Sequence, residues 1–184
     1  MRKALLVIDV QNEYFPGGAL ALEGMPAAAE NCRLLVEKFR AECAPVIHVQ
    51  HFSTQFGATA FVPQTQGSAI HERLAPAPYE TVVPKTSPNA FRSTWLHSAL
   101  QAGGIGELVV CGAMTQTCID STVRCAFDYG YACKVASDAC AASALEMDGT
   151  VIKAVDVQAA FLAALRGTFA EVRTTRELLG ADPS

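Results

Sequence analysis

The chain has 184 residues, of which 51% are hydrophobic, and its 18 acidic and 14 basic side chains leave a formal net charge of -4. This length predicts a single domain over residues 1–184, and the aliphatic composition excludes an intrinsically disordered chain. The negative charge argues against nucleic acid or a membrane surface as a partner.

The predicted elements alternate between strand and helix. In chain order we expect a strand at 4–10, a helix from Pro26, strands at 45–49 and 81–83, a helix at 95–101, a strand at 107–111, a helix at 116–129, a strand at 131–136, a helix at 150–165 and a strand at 170–174. This order favours a largely parallel sheet with helices on both faces. The long irregular segment at about 51–80 is expected to be a lid or binding loop.

The seven cysteines indicate neither a metal site nor a disulfide framework. No two are spaced as C-x-x-C, their number is odd, and the first apolar run ends at Asp9, too early for a secretory signal. No apolar stretch is long enough to span a bilayer. We therefore expect a cytoplasmic protein whose cysteines are mostly small buried side chains.

Three residues near predicted strand ends could carry chemistry, because open parallel sheets bind ligands beyond the carboxyl ends of their strands. Asp9 ends the first strand, Lys85 follows the third, and Cys118 follows the fourth. Taken singly they read as a turn residue, a surface lysine and a buried cysteine. Taken together they supply a base, a cation and a nucleophile. Cys118 falls in the first turn of the predicted helix 116–129, where the helix dipole favours a thiolate.

Nucleotide-binding and serine-nucleophile motifs are absent. The chain contains no G-x-G-x-x-G, no G-x-x-x-x-G-K-[ST] and no G-x-S-x-G segment. We therefore expect no bound cofactor.

Five ordered segments resemble those of the isochorismatase-like cysteine hydrolases, a superfamily that includes nicotinamidases and N-carbamoylsarcosine amidohydrolase. They are LLVIDVQN (5–12), VPKT (83–86), GAMTQTC (112–118), AFDYGY (126–131) and SDACA (137–141). The resemblance implies a three-layer α-β-α fold with a six-stranded parallel sheet of order 3-2-1-4-5-6, which is Rossmann-like. It also implies a catalytic triad of Asp9, Lys85 and Cys118, and a dimer or tetramer.

The resemblance further implies a cis peptide between Ala113 and Met114. Such a bond would aim the N–H of Met114, together with that of Cys118, at the oxyanion of a tetrahedral intermediate. Gln11, Phe15 and Thr115 lie close enough in sequence to the triad to contact substrate.

One departure from the sequence patterns of the family reduces the range of activities to be expected. Metal-dependent nicotinamidases resemble one another in an Asp-x-His-x-x-His motif, but the corresponding stretch here is VIHVQH (46–51), without the aspartate. His48 and His51 would also point to opposite faces of a strand. We therefore expect two packed or polar-bonded histidines, no catalytic metal and no nicotinamidase activity.

The leading interpretation is a cofactor-free hydrolase that cleaves a small amide, ureido or related C–N bond through a thioester on Cys118. True isochorismatases cleave a vinyl ether and commonly lack the nucleophilic cysteine, so Cys118 favours acyl chemistry. Two alternatives stay open: vinyl-ether hydrolysis that uses Asp9 without covalent catalysis, and a catalytically weak oligomeric binding protein of the same fold.

Overall fold

A parallel sheet of six strands forms the centre of the computed structural model, which describes residues 1–180. The strands in chain order are β1 (Arg2–Ile8), β2 (Val46–His51), β3 (Thr81–Lys85), β4 (Ile105–Ala113), β5 (Ala132–Ala141), β6 (Leu145–Met147), β7 (Thr150–Ile152) and β8 (Glu171–Arg173). The sheet order is β3-β2-β1-β4-β5-β8, and every pairing within it is parallel. The predicted order is confirmed, with β8 as the sixth strand of the sheet.

Helices cover both faces of this sheet. They are α1 (Met25–Ala41), α2 (Leu96–Ala102), α3 (Asp120–Asp128), α4 (Ala154–Leu165) and α5 (Thr175–Leu178). Side chains of α1 and α5 pack on one face, and those of α2, α3 and α4 pack on the other, so that two apolar clusters enclose the sheet. The predicted three-layer fold is therefore confirmed.

The first strand shows why this sheet is buried on both sides. Residues 4–8 (ALLVI) are at most 1% exposed. Leu6 and Ile8 belong to the cluster under α2 and α3, whereas Leu5 and Val7 belong to the cluster under α1. A strand whose two faces are both covered needs an unbroken apolar run. Polar residues are therefore expected only beyond the end of the strand, and the first residue after β1 is Asp9.

The predicted helix at 150–165 is wrong at its start. Residues 150–152 form β7, which pairs antiparallel with β6, and α4 begins only at Ala154. The turn between the two strands is Asp148-Gly149, with φ values of 52° and 76°. Asp-Gly pairs favour two-residue hairpin turns, and β-branched residues such as Val151 favour strands. All six strand residues of this hairpin are exposed.

The buried carboxylate of Glu80 connects the end of the long segment between β2 and β3 to helix α1. Glu80 pairs with Arg40 at 2.7 Å, contacts the Nε2 atom of His48 at 3.0 Å and accepts a hydrogen bond from the N–H of Ala77. Burial lowers the pKa of His48, although Glu80 works against that shift. His48 is thus a polar-bonded histidine, as predicted.

Among residues 1–180, no helix combines the length and apolar character that crossing a membrane requires.

Candidate active site

Three strand ends carry the residues that the sequence analysis selected. Asp9 follows β1 directly, Lys85 is the last residue of β3, and Cys118 lies in the turn after β4. Parallel strands bring their carboxyl ends to one edge of the sheet, and β1 and β4 are neighbours there. The structure brings the three side chains together in one cluster.

Lys85 is the centre of this cluster. Its Nζ atom lies 2.7 Å from Asp9 Oδ2, donates a hydrogen bond to Cys118 Sγ at 3.3 Å and donates another to the carbonyl oxygen of Ser87 at 3.0 Å. The side chains of Asp9 and Lys85 are both 0% exposed, and Cys118 is 5% exposed. Charges interact more strongly in such a site than at the surface, because little water screens them.

Burial dominates the acid–base properties of the cluster. It raises the pKa of Asp9 above the ordinary 3.8, although the Lys85 ammonium opposes that rise. No well-directed hydrogen bond from residues 1–180 reaches either carboxylate oxygen. Burial also raises the pKa of the Cys118 thiol to about 12, where the Asp9 charge adds to the rise and Lys85 opposes it. At neutral pH the sulfur therefore keeps its proton beside an unusually basic aspartate.

The structure corrects the reason given above for an activated cysteine. Cys118 does not lie in the first turn of an α-helix: residues Thr115–Ile119 form a π-helical turn, and α3 begins at Asp120. The expected preference for a thiolate is also wrong, because desolvation raises the thiol pKa by more than Lys85 lowers it.

His51 is a fourth side chain in the cluster. It is a polar-bonded histidine, as predicted, but its contact with Lys85 was not predicted. Its Nδ1 atom lies 3.2 Å from Lys85 Nζ. Burial and the Lys85 charge lower the pKa of His51 to about 4, so the ring is neutral at pH 7 and can accept a hydrogen bond from the ammonium. The available sequence signal was its place at the end of β2, on the edge where the three predicted site residues lie.

Within residues 1–180, no three His, Cys, Asp or Glu side chains are placed to hold a metal ion together.

The backbone near Cys118 has two unusual features. The peptide between Ala113 and Met114 is cis, in the position that the resemblance implies. Gly112 has a φ of 123°, and a Cβ atom there would lie 1.9 Å from the carbonyl oxygen of Ile8. Only glycine therefore permits β4 to approach β1 this closely at the point where Asp9 and Cys118 meet.

The three candidate substrate contacts are buried and have internal partners. The Gln11 amide donates to the carbonyl oxygens of His51 and Ser68 and accepts from the N–H of His51. Thr115 donates to Oε1 of Gln158 on α4 at 2.5 Å. These bonds give both residues supporting roles in the structure.

Phe15 has a stacking partner instead of a hydrogen bond. Its ring lies on His71 with a centroid distance of 3.7 Å, and the residue is 7% exposed. A contact between substrate and Phe15, Gln11 or Thr115 stays a prediction.

The segment between β2 and β3 contributes one wall near the cluster. Phe61 is buried and its ring makes edge contacts with Tyr14 and His51, both at 5.2 Å between centroids. Ser53 and residues 55–60 line a cavity of about 420 Å³ together with His51 and Phe61. Phe56, in the same stretch, is fully exposed. This placement agrees with a binding loop, and its closure over a ligand stays a prediction.

The carboxylate of Glu13 holds this wall in place by hydrogen bonds. No role for Glu13 was predicted from the sequence. Its carboxylate accepts hydrogen bonds from the N–H groups of Ala19 and Phe61. A Cβ atom on Gly67 would collide with the same carboxylate at 2.1 Å. The available signal was the position of Glu13, an acid four residues after Asp9 at the same end of β1.

Comparison with known proteins identifies the family of this chain. The family model for the isochorismatase domain matches residues 3–177. This chain belongs to the isochorismatase family. An isochorismatase family protein of Bacillus subtilis (strain 168) is 48% identical over 97% of this chain and 99% of its own length. A crystal structure of an isochorismatase-family hydrolase from Oleispira antarctica superposes with a TM-score of 0.94, at 43% identity, over 97% of this chain and 96% of that one.

A more distant isochorismatase-family relative has a named substrate. The ureidoacrylate amidohydrolase of Azorhizobium caulinodans is 30% identical over 70% of this chain and 71% of its own length. The family is one of hydrolases, and this chain is an isochorismatase-family hydrolase.

Proposed function

We propose that this protein is a cysteine-dependent amidohydrolase that cleaves a small non-peptide amide, ureido or related C–N bond. The observation that carries the proposal is the position of Lys85 Nζ, 2.7 Å from Asp9 Oδ2 and 3.3 Å from Cys118 Sγ, within a buried site. A base, a cation and a thiol in mutual contact are the components of nucleophilic acyl transfer. The named activity of the ureidoacrylate amidohydrolase supports the same bond type.

The proposed reaction begins with proton transfer from the Cys118 thiol to the Asp9 carboxylate. The sulfur then attacks the carbonyl carbon, a C–S bond forms, and the carbonyl electrons move to oxygen. N–H groups of Met114 and Cys118 are the proposed donors to that oxyanion. The C–N bond breaks as Asp9 returns the proton to nitrogen, so ammonia or an amine leaves and a thioester remains.

Hydrolysis of the thioester uses the same groups in reverse. Asp9 takes a proton from water while the hydroxide oxygen attacks the thioester carbon. The C–S bond breaks, and the proton returns to the Cys118 sulfur. The sum is one amide and one water converted to one carboxylic acid and one amine.

The test is a screen of ammonia release from small amides, ureido compounds and carbamoyl compounds. For any substrate found, Cys118→Ala is expected to lower kcat/KM at least roughly 10³-fold, since the covalent route is lost. Cys125→Ala is the matched control, because Cys125 lies on the neighbouring helix α3 outside the cluster. Turnover that survives Cys118→Ala would favour chemistry by Asp9 alone and would contradict the proposal.

A further inference from the structure

An exposed apolar surface is concentrated in the β6–β7 hairpin and in the start of the helix α4 that follows it. Five of the twelve large hydrophobic side chains that are exposed among residues 1–180 fall within residues 145–155. They are Leu145, Met147, Val151, Ile152 and Val155, and three of them are at least 66% exposed. Single exposed apolar residues are common in proteins, but a cluster of this kind indicates an interaction surface.

The hairpin has no apolar partner among residues 1–180. Its two strands pair only with each other, and none of their residues belongs to the two apolar clusters that enclose the main sheet. Because side chains alternate along a strand, Leu145, Met147 and Ile152 lie on one face of the hairpin. An isolated two-stranded hairpin is at best marginally stable in water. A partner that covers this face would therefore stabilise it.

Helix α4 continues the apolar surface beyond the hairpin. The exposed residues in its second half are all alanine, namely Ala159, Ala160, Ala163 and Ala164, and no charged residue occurs in 157–165. A helix face in contact with water normally carries polar and charged side chains. The outer face of α4 therefore has the composition of a buried face.

The size of this surface fits a stable protein partner. Of the 22 residues in 143–164, which we call the hairpin–helix face, only Val157 and Leu162 are buried, and this leaves 20 at the surface. A stable interface uses about 20–30 residues on each side. Apolar surface that is always exposed needs a partner that is always present, and interfaces between identical chains are more apolar than those of transient complexes.

The charges of the hairpin–helix face also suit a second copy. Lys153, Glu146 and Asp156 form no ion pair with any of residues 1–180. In a two-fold contact each pairing of residues occurs twice. Two copies of this face can therefore place each Lys153 opposite an acid of the other copy.

We propose that the hairpin–helix face binds the same face of a second copy of this chain in a two-fold contact. The contact covers the apolar side of the hairpin and the alanine side of α4. It borders the candidate site, because β6 begins four residues after the end of β5, and Gln158 of α4 accepts the hydrogen bond of Thr115. The inference does not rest on the proposed hydrolysis, since none of the exposed apolar residues belongs to the cluster around Lys85.

The experiment measures the dissociation constant of the dimer by analytical ultracentrifugation of the full chain. Met147→Glu and Val155→Glu change one exposed residue in each half of the face, so neither should unfold a single copy. Each should raise the dissociation constant at least roughly 100-fold, because an unpaired charge would be buried in the contact. Tyr79→Glu is the matched control, since Tyr79 is 79% exposed and lies outside the face.

Hydrogen–deuterium exchange of residues 145–152 is the second measurement. Exchange of these amides should become at least roughly tenfold faster in Val155→Glu, because the hairpin loses its partner although its own sequence is unchanged. The same acceleration should follow when the wild type is diluted below its dissociation constant, and this test needs no variant.

Three results would overturn the inference. The first is a wild type that is monomeric at every concentration, and the second is a dimer that Met147→Glu and Val155→Glu weaken no more than Tyr79→Glu does. The third is exchange at 145–152 that is independent of protein concentration across the dissociation constant. Each of them would leave the proposed hydrolysis at Cys118 unaffected, so the two proposals fail separately.

Discussion

The ammonium of Lys85 lies 3.3 Å from the sulfur of Cys118, although the two residues are 33 positions apart in the chain. The same ammonium holds Asp9 at 2.7 Å. A cation shared between an acid and a thiol stabilises whichever of the two is negative. It can therefore allow a proton to pass from sulfur to carboxylate without leaving an unpaired buried charge.

Removal of this cation is expected to stop the chemistry. Lys85→Met should lower the rate of Cys118 alkylation, and kcat/KM for any substrate found, at least roughly 100-fold, because no group then stabilises a thiolate. Loss of one partner of a buried ion pair should also lower the free energy of unfolding by about 3–5 kcal/mol, less whatever protonation of Asp9 recovers.

Lys134→Met is the matched control for both measurements. Lys134 pairs with Glu107 at 3.1 Å and is 31% exposed, so the cost of its loss should be within about 1 kcal/mol. Equal effects of the two substitutions on urea denaturation and on labelling would contradict the role given to Lys85.

The pH dependence of Cys118 labelling should report Asp9. The folded-state pKa of Asp9 is raised by burial, and only the carboxylate form can accept the thiol proton. The rate should therefore fall as pH decreases through that raised pKa, at a pH above the ordinary 3.8. The acid side of a plot of alkylation rate against pH measures this value, and Asp9→Asn should be slow at every pH. An unchanged profile in Asp9→Asn would exclude Asp9 as the base.

Gln11 is expected to matter for stability because of its hydrogen bonds. Gln11→Leu removes three bonds to the backbone of His51 and Ser68, and should lower the free energy of unfolding by about 2–4 kcal/mol. Gln50→Leu removes one bond to the same Ser68 carbonyl, and should cost about 1 kcal/mol. Chemical denaturation of both variants distinguishes this role from one in substrate contact, which would change KM but leave stability unaltered.

The close approach at Gly112 predicts that even the smallest added side chain lowers the stability of the fold strongly. Gly112→Ala would place a Cβ atom 1.9 Å from the carbonyl oxygen of Ile8 at a φ of 123°. Gly130→Ala is the control, because its φ is 86° but no atom lies within 4 Å of the added Cβ. We expect Gly112→Ala to cost at least about 2 kcal/mol more than the control, measured by thermal or urea unfolding. Similar stability of the two variants would show that backbone conformation matters there and close contact does not.

Apolar patterning made the sheet predictable. The strand at 4–8 has both faces covered, so it appears in the sequence as an unbroken aliphatic run, and Asp9, which ends this run, marks the edge where the candidate site lies. The hairpin β6–β7 has no such pattern because all of its residues are exposed. Its signal is the Asp148-Gly149 pair, whereas Val151 and Ile152 also fit the apolar pattern of the predicted helix at 150–165.

The candidate site was predictable in its residues but not in its electrostatics. Sequence order placed Asp9, Lys85 and Cys118 at strand ends, and the resemblance placed the cis peptide. The pKa of Cys118 depends on how much water reaches it, and desolvation is a property of the packed structure. The role of Glu13 and the contact of His51 with Lys85 could not be predicted for the same reason, since these partners lie far away in sequence and meet only in the fold.

Burial of the Asp9–Lys85 pair has a consequence for the whole proposed reaction cycle. The pair begins with one negative and one positive charge. When the thiol proton moves to Asp9, the negative charge passes to sulfur, then to the carbonyl oxygen, and finally back to the carboxylate. At each stage one anion faces the one Lys85 cation, so the net charge within the site never changes. Because no ion has to enter from solvent to balance a step, the reaction can run in a closed and nearly dry space, where each of these attractions is strongest.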